Sequence, residues 1–232
     1  MEDTAARILV VEDDADINRL LTTLLSKEGY VVTSAYSGSE AGMRLESERY
    51  DLILLDLMLP GLTGEELLAT IRKKYVMPVI VLSAKGREDK LHVLAEGADD
   101  FISKPFDIED VKARVVAQLR RYTRFTPAQQ GETPLQFKEL VLDPEGRRVT
   151  VKGREVSLTV REYGLLYLLL SHPKKVFTRA NLFESVWEDP YIGDDNTVNV
   201  HISNLRAKLA AADPDNGYIK TVWGIGFKME EE

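Results

Sequence analysis

The chain has 232 residues, 44% hydrophobic and 29% charged, with a formal net charge of -8 at pH 7; this is a folded globular composition, long enough for two domains of ordinary size. The absence of cysteine excludes disulfides, thiolate nucleophiles and cysteine-ligated metals. No apolar run approaches the ~18 residues of a membrane span, and the opening MEDTAAR lacks the pattern of a secretory leader. A cytoplasmic protein with no membrane attachment is expected. The charge is uneven: residues 1–123 carry 16 Lys+Arg against 22 Asp+Glu, whereas residues 146–180 carry eight basic side chains against two acidic ones. That second stretch is suited to facing phosphates.

Residues 1–123 alternate short apolar runs with helix-length amphipathic segments. Strands are predicted over residues 8–11, 31–35, 52–55, 79–83 and 101–103, and helices over 17–28, 38–47, 64–74, 88–96 and 107–121. Five βα units with strands rich in Val, Ile and Leu predict a doubly wound α/β domain, its parallel sheet covered on both faces. In such a five-stranded sheet, of order 2-1-3-4-5, ligands bind beyond the carboxyl ends of strands 1 and 3, where strand order reverses.

The stretch RILVVEDDAD (residues 7–16) breaks from an apolar strand into Glu12, Asp13 and Asp14, and Asp56 ends strand 3 in LILLDLMLPG. Glu12, Asp13 and Asp56 are therefore expected to meet at the switch point, an all-oxygen set suited to Mg²⁺. Asp14 and Asp16 fit capping of the next helix. Asp56 does not: a carboxylate directly after four apolar residues, ahead of LMLPG, needs a chemical reason. Ser83 ends strand 4 in VIVLSA and Lys104 ends strand 5 in FISKPF, bringing a hydroxyl and a mobile cation to the same rim. Pro105 is a candidate for a cis peptide bond.

With VVEDD, LDLMLPG, VLSAKG and GADDFISKPF at these separations, residues 5–123 resemble the receiver domains of two-component response regulators (flavodoxin-like fold). The resemblance implies that Asp56 accepts a phosphoryl group from a sensor histidine kinase, with Mg²⁺ held by Glu12, Asp13, Asp56 and the Met58 backbone carbonyl. Ser83 and Lys104 would meet the phosphoryl oxygens, so the domain takes part in its own phosphoryl transfer and dephosphorylation without being an enzyme. Ser83 and the strand 5 aromatic, Phe101, would form the switch. Many relatives carry Tyr there, and Phe101 has no hydroxyl, so only its packing can report the state. The face made by helix 4, strand 5 and helix 5 would form a homodimer on phosphorylation, pairing Lys90 with Asp110, Asp99 with Arg121 and Asp100 with Arg114. Exposed pairs of this kind contribute only ~0–1 kcal/mol each and serve register and partner choice.

Residues 124–133, RFTPAQQGET, lack apolar periodicity and are predicted to be a linker. The remainder, residues 134–232, opens with the alternating runs LQFKELVLD, RRVTV and REVSLT, expected as antiparallel hairpins. Thr159 and Glu162 stand in capping-box spacing before a helix over 160–170, and Thr178 opens a second helix, RANLFESVW. A third, over residues 196–211, carries a core stripe of Val198, Ile202, Leu205 and Leu209. Asn199, Ser203, Arg206 and Ala210 fall on the opposite side, a small polar face suited to the major groove. YIKTVWGIGF ends the chain as a hairpin, with Gly224 and Gly226 allowing a tight backbone. Three helices with such a hairpin describe an α+β winged helix-turn-helix. His201 has no neighbouring ligands and is expected to pack or face phosphate rather than bind metal.

NTVNVHISNLRAKL and YIKTVWGIGF resemble the effector domain of the OmpR/PhoB family, with a likeness to its VanR-like branch. By that resemblance Asn199, Ser203, Asn204 and Arg206 face bases, while Thr197 and the wing, including Gly224 and Gly226, contact the DNA backbone. The implied protein is a transcription regulator that binds double-stranded promoter DNA and works with RNA polymerase. Some relatives carry two arginines where this chain has Ser203 and Asn204, so weaker phosphate attraction by this helix is expected. Three other readings compete. A haloacid-dehalogenase type phosphatase needs a second Asp where Met58 stands, and nicotinamide binding needs a glycine-rich turn after strand 1. A constitutive DNA-binding protein would leave Asp56, Ser83 and Lys104 without a use.

Overall fold

The computed structural model describes residues 5–84, 87–124, 133–144, 148–188, 191 and 196–230. The chain divides into two compact units, Met1–Tyr122 and Thr123–Glu232. The first holds β1 (Arg7–Val11), α1 (Ala15–Lys27), β2 (Val31–Ala35), α2 (Gly38–Ser47), β3 (Leu52–Asp56), α3 (Gly64–Lys74), β4 (Val79–Ser83), α4 (Arg87–Ala95), β5 (Asp100–Ser103) and α5 (Ile108–Arg124). The strands form one parallel sheet in the order β2-β1-β3-β4-β5. Because helices cover both faces, every residue of β3 and β4 is buried, which is why these runs are continuously apolar. On one face Ile8, Val10, Leu52, Leu54, Ile80 and Leu82 pack against Leu21 and Leu25 of α1 and Val111, Val115 and Leu119 of α5. Asp14 caps α1, accepting from the Asp16 and Ile17 amides, and Thr63 with Glu66 forms a capping box on α3. The α5 helix continues to Arg124, into the first residue of the expected linker; residues 125–132 of that linker lie outside the described residues.

The second unit begins with an antiparallel sheet of β6 (Leu135–Phe137), β7 (Leu140–Asp143), β8 (Arg148–Val151) and β9 (Arg154–Glu155). Then come α6 (Val160–Ser171), β10 (Phe177–Thr178), α7 (Arg179–Trp187), α8 (Thr197–Ala212), β11 (Ile219–Val222) and β12 (Gly226–Met229). Thr159 and Glu162 form the capping box of α6, and Thr178 caps α7. The core joins Leu165, Leu166 and Leu169 to Leu182, Val186, Phe227 and the α8 stripe of Val198, Ile202, Leu205 and Leu209. One element was not foreseen: β10, two residues long, pairs with β12 and makes the C-terminal hairpin a three-stranded sheet. Two residues show no alternation, so periodicity cannot reveal them.

Candidate functional site

The parallel register sets the first site. Val11 lies beside Leu55 and Asp56 beside Leu82, so the chain leaving β1, β3, β4 and β5 converges on one rim. Glu12, Asp13 and Asp56 present carboxylate oxygens that all lie within 4.8 Å of one another. Glu12 is 1% and Asp56 3% exposed, whereas Asp13 is open to solvent. The Lys104 ammonium donates to Glu12 Oε2 and to Asp56 Oδ2, both at 2.7 Å. A cis peptide bond joins Lys104 to Pro105. Burial pushes the Glu12 carboxyl up to about 7, with the Asp56 charge adding to the rise and Lys104 opposing it. Burial alone would lower the Lys104 pKa, but its hydrogen bonds to Asp56 and Glu12 outweigh that and raise it. Three carboxylates with one open to water can hold a metal ion, and an oxygen-only set selects a hard cation.

The surrounding backbone is tightly specified. Asp56 Oδ1 accepts the Met58 amide at 3.0 Å, while Met58 itself is exposed. A Cβ on Gly64 would sit 2.2 Å from the Asp56 carbonyl oxygen, so only glycine lets α3 close on the Asp56 loop, its amide donating to Leu57 O at 3.0 Å. Asn18, fully buried, donates its carboxamide to Glu12 O at 2.9 Å and Ala35 O at 3.1 Å. Sequence reading missed it; its one signal was a polar residue on the apolar stripe of α1. Ser83 is fully buried at the end of β4, and Phe101, 7% exposed, lies in register with Val81.

The expected dimer surface needs correction. Asp99 is not on a surface: it is 0% exposed, and its Oδ2 accepts from Arg72 Nη2 at 2.6 Å and from the Val79 amide at 2.9 Å. Arg72 also donates to Gly97 O and Met77 O, so this is an internal tie that the sequence reading missed. The Arg121 side chain lies outside the described residues. Asp100 and Arg114, expected across protomers, meet within one chain at 3.0 Å, and Arg114 also binds Asp110 at 2.8 Å. Lys90 is half-buried.

In the second unit, Ser203 is exposed on α8 and Asn204 half-buried. Asn199 accepts from Arg179 Nε at 2.9 Å and donates to Asn196 at 3.1 Å. Arg206 does not point freely outward as expected. Its Nε donates to Ile219 O at 3.0 Å and its Nη2 to Thr221 Oγ1 at 2.8 Å, with the guanidinium over the Phe227 ring. Thr197, expected at the DNA backbone, is 3% exposed. Gly226 is buried too: a Cβ there would lie 1.9 Å from Phe177 O, so this glycine admits β10 rather than DNA. Gly224 is exposed at φ +73. His201 is buried with its ring edge-on to Trp187, 5.2 Å between centroids.

A doubly wound domain with an acid and lysine pocket, followed by a helical unit ending in a wing, defines a switchable DNA-binding regulator. Residues 8–116 match the response regulator receiver domain, and residues 153–229 match the C-terminal domain of transcriptional regulatory proteins. The chain is 44% identical to the transcriptional regulatory protein ResD of Bacillus subtilis, over 97% of this chain and 95% of that one. It is 40% identical to the regulatory protein VanRc of Enterococcus gallinarum, over 97% and 99%. A solved structure of a RitR mutant superposes with a TM-score of 0.80 at 32% identity, covering 98% of this chain and 100% of that one. The chain belongs to the OmpR/PhoB family of two-component response regulators, which are phosphorylation-dependent transcription regulators. Among the described residues no helix is long and apolar enough to cross a membrane.

Proposed function

We propose that Asp56 is the phosphoacceptor. An Asp56 carboxylate oxygen attacks the phosphorus of a phosphohistidine on a sensor kinase, the P–O bond forms as the P–N bond breaks, and the histidine leaves. Glu12, Asp13, Asp56 and the Met58 carbonyl would hold Mg²⁺, which when bound would supply charge neutralisation on the phosphoryl oxygens. Lys104, already 2.7 Å from Asp56, holds its ammonium where the new negative charge appears, and the Ser83 hydroxyl turns toward the phosphoryl group with Phe101 repacking behind it. Hydrolysis at the same site resets the switch. Phosphorylated receivers pair through the α4, β5 and α5 face, and the paired effector domains bind promoter DNA and engage RNA polymerase in the cytoplasm. The observation that carries this reading is the cluster of Glu12, Asp13 and Asp56 carboxylates, two of which, Glu12 and Asp56, share the Lys104 ammonium.

The test is intact mass after incubation with Mg²⁺ and a small phosphodonor, with dimerisation followed on the same samples. One added phosphoryl group, absent in Asp56→Asn and accompanied by dimer formation, is the expected result. DNA binding that is equally strong without modification, with no adduct even from a broadly active histidine kinase, overturns the phosphorylation mechanism and leaves a constitutive winged-helix regulator.

A further inference from the structure

The buried stripe of α1 is Asn18, Leu21 and Leu25. A Leu at position 18 would extend the apolar pair and favour the helix more than Asn does, so a carboxamide held fully out of water there calls for a use on the groups it touches. Its Nδ2 commits both hydrogens to main-chain carbonyls, donating to Glu12 O at 2.9 Å and Ala35 O at 3.1 Å. Carbonyls only accept, which settles the way the carboxamide faces, and its Oδ1 accepts from the Thr22 hydroxyl at 3.3 Å. The Glu12 amide in turn donates to the same Ala35 O at 3.1 Å. Glu12 is therefore gripped at three points: its amide by the end of β2, its carbonyl by α1 and its carboxylate by Lys104. The carbonyl that Asn18 holds belongs to the planar peptide joining Glu12 to Asp13. Asp13 is open to solvent, so the direction of its carboxylate follows from the backbone that carries it rather than from packing. One buried carboxamide thus governs where two of the three acids point.

We infer that Asn18 is a positioning residue for divalent-cation binding: by fixing the Glu12–Asp13 peptide it keeps these two carboxylates in register with Asp56, acting through the backbone rather than on the metal. The inference rests on the proposed Mg²⁺ site and deepens it, naming a residue outside the acids that sets its affinity. Groups that orient metal ligands from behind contribute about 10–100-fold in affinity, because ligands that must be rearranged on binding lose what a fixed supporting shell supplies.

The test is calorimetric titration of the unphosphorylated full-length protein with Mg²⁺, beside melting of the metal-free protein and phosphorylation by a small phosphodonor across a Mg²⁺ series. Asn18→Leu keeps the size and burial of the side chain but donates nothing. It is expected to weaken Mg²⁺ binding about 10–100-fold and to raise the half-saturating Mg²⁺ for phosphorylation by the same factor. The rate at saturating Mg²⁺, set by Asp56 and Lys104, is expected to recover. Leu21→Ala opens a cavity at the next buried position of the stripe, so the metal-free protein is expected to melt lower while Mg²⁺ affinity stays within about twofold of wild type. Asn18→Ala, with room for a water at the two carbonyls, serves if Asn18→Leu does not fold, with an expected loss of about fivefold. Affinity within about twofold of wild type in the folded Asn18 variant overturns the inference. A Leu21→Ala protein that loses as much Mg²⁺ affinity as the Asn18 variant overturns it too, since the loss then reports a loosened fold. Calorimetry decides the matter even where no phosphoryl adduct forms. If the wild type itself binds no Mg²⁺, the metal-site reading falls and the role of Asn18 with it.

Discussion

Replacing Asp99 by Ala separates a structural role from a dimer role. The Arg72–Asp99 ion pair has side chains 10% and 0% exposed, so solvent screening removes little of it. The substitution leaves the Arg72 guanidinium hydrogen-bonded to Gly97 O and Met77 O but without its carboxylate, and strips the Val79 amide of its 2.9 Å acceptor. Breaking a buried pair from one side costs about 3–5 kcal/mol, a figure that already includes the stranded partner. For a domain of this size each kcal/mol moves the melting temperature by roughly 3–5 °C, so the receiver transition is expected to fall by roughly 10–20 °C. Scanning calorimetry of the full chain checks this, the effector-domain transition acting as internal reference. A receiver transition that falls by less than about 3 °C, with phosphorylation-dependent dimerisation abolished, would refute the reasoning and return Asp99 to the interface.

Three further outcomes are expected. Lys104→Met leaves Glu12 and Asp56 buried without their shared ammonium, so melting of the receiver in Mg²⁺-free buffer drops, and Mg²⁺ restores more stability than it adds to the wild type. Gly226→Ala pushes a Cβ into the Phe177 carbonyl, costing about 1–3 kcal/mol by overpacking; the effector-domain transition falls and DNA affinity with it, while receiver phosphorylation is unchanged. The Lys152 ammonium, followed by hydrogen bonds from Tyr218 and Asn216, holds the Asp213 carboxyl well below the usual carboxylate range. Its stabilising contribution is complete above the unfolded value near pH ~4 and is lost as pH falls toward the depressed folded value. Denaturant titrations of the effector domain between neutral pH and strong acid should show that slope, and Asp213→Asn should be less stable at neutral pH and lack it.

What was legible in the chain was what the backbone alone determines. Apolar runs ending in Asp56, Ser83 and Lys104 place those residues at strand ends, and a parallel sheet carries strand ends to one rim whatever the side chains do next. The exposed or buried state of a polar residue is different, since it depends on partners far away in sequence. Asp99 stands beside Asp100 in GADD and looks solvated; its burial depends on Arg72, which the chain brings across from α3. The same limit applies to α8. Four apolar residues marked its core stripe, yet Thr197 and His201 are buried as well; His201 is covered by Trp187 from α7, which packs on its ring. Arg206 was assigned to bases from its angular position, while the wing that captures it is contributed by residues 219–221.

The two ion pairs at the start of β5 also differ in what they permit. Asp99 is locked to Arg72 out of water, and its tie is too costly to exchange during signalling. Asp100 holds the Phe101 amide at 2.8 Å and the Arg114 guanidinium at 3.0 Å, but its pair is partly exposed, at 13% and 34%. The partly exposed pair is the less costly of the two to part, and Arg114 keeps Asp110 at 2.8 Å when it releases Asp100. Phe101 lies between this exchangeable pair and the Ser103–Lys104 end of the strand, where the phosphoryl group would arrive. Under the proposed switch, a movement of Ser83 and Lys104 meets a fixed anchor at Asp99 and a loose one at Asp100. The displacement therefore emerges at Arg114, on the face proposed for dimerisation, and needs no tyrosine hydroxyl to carry it.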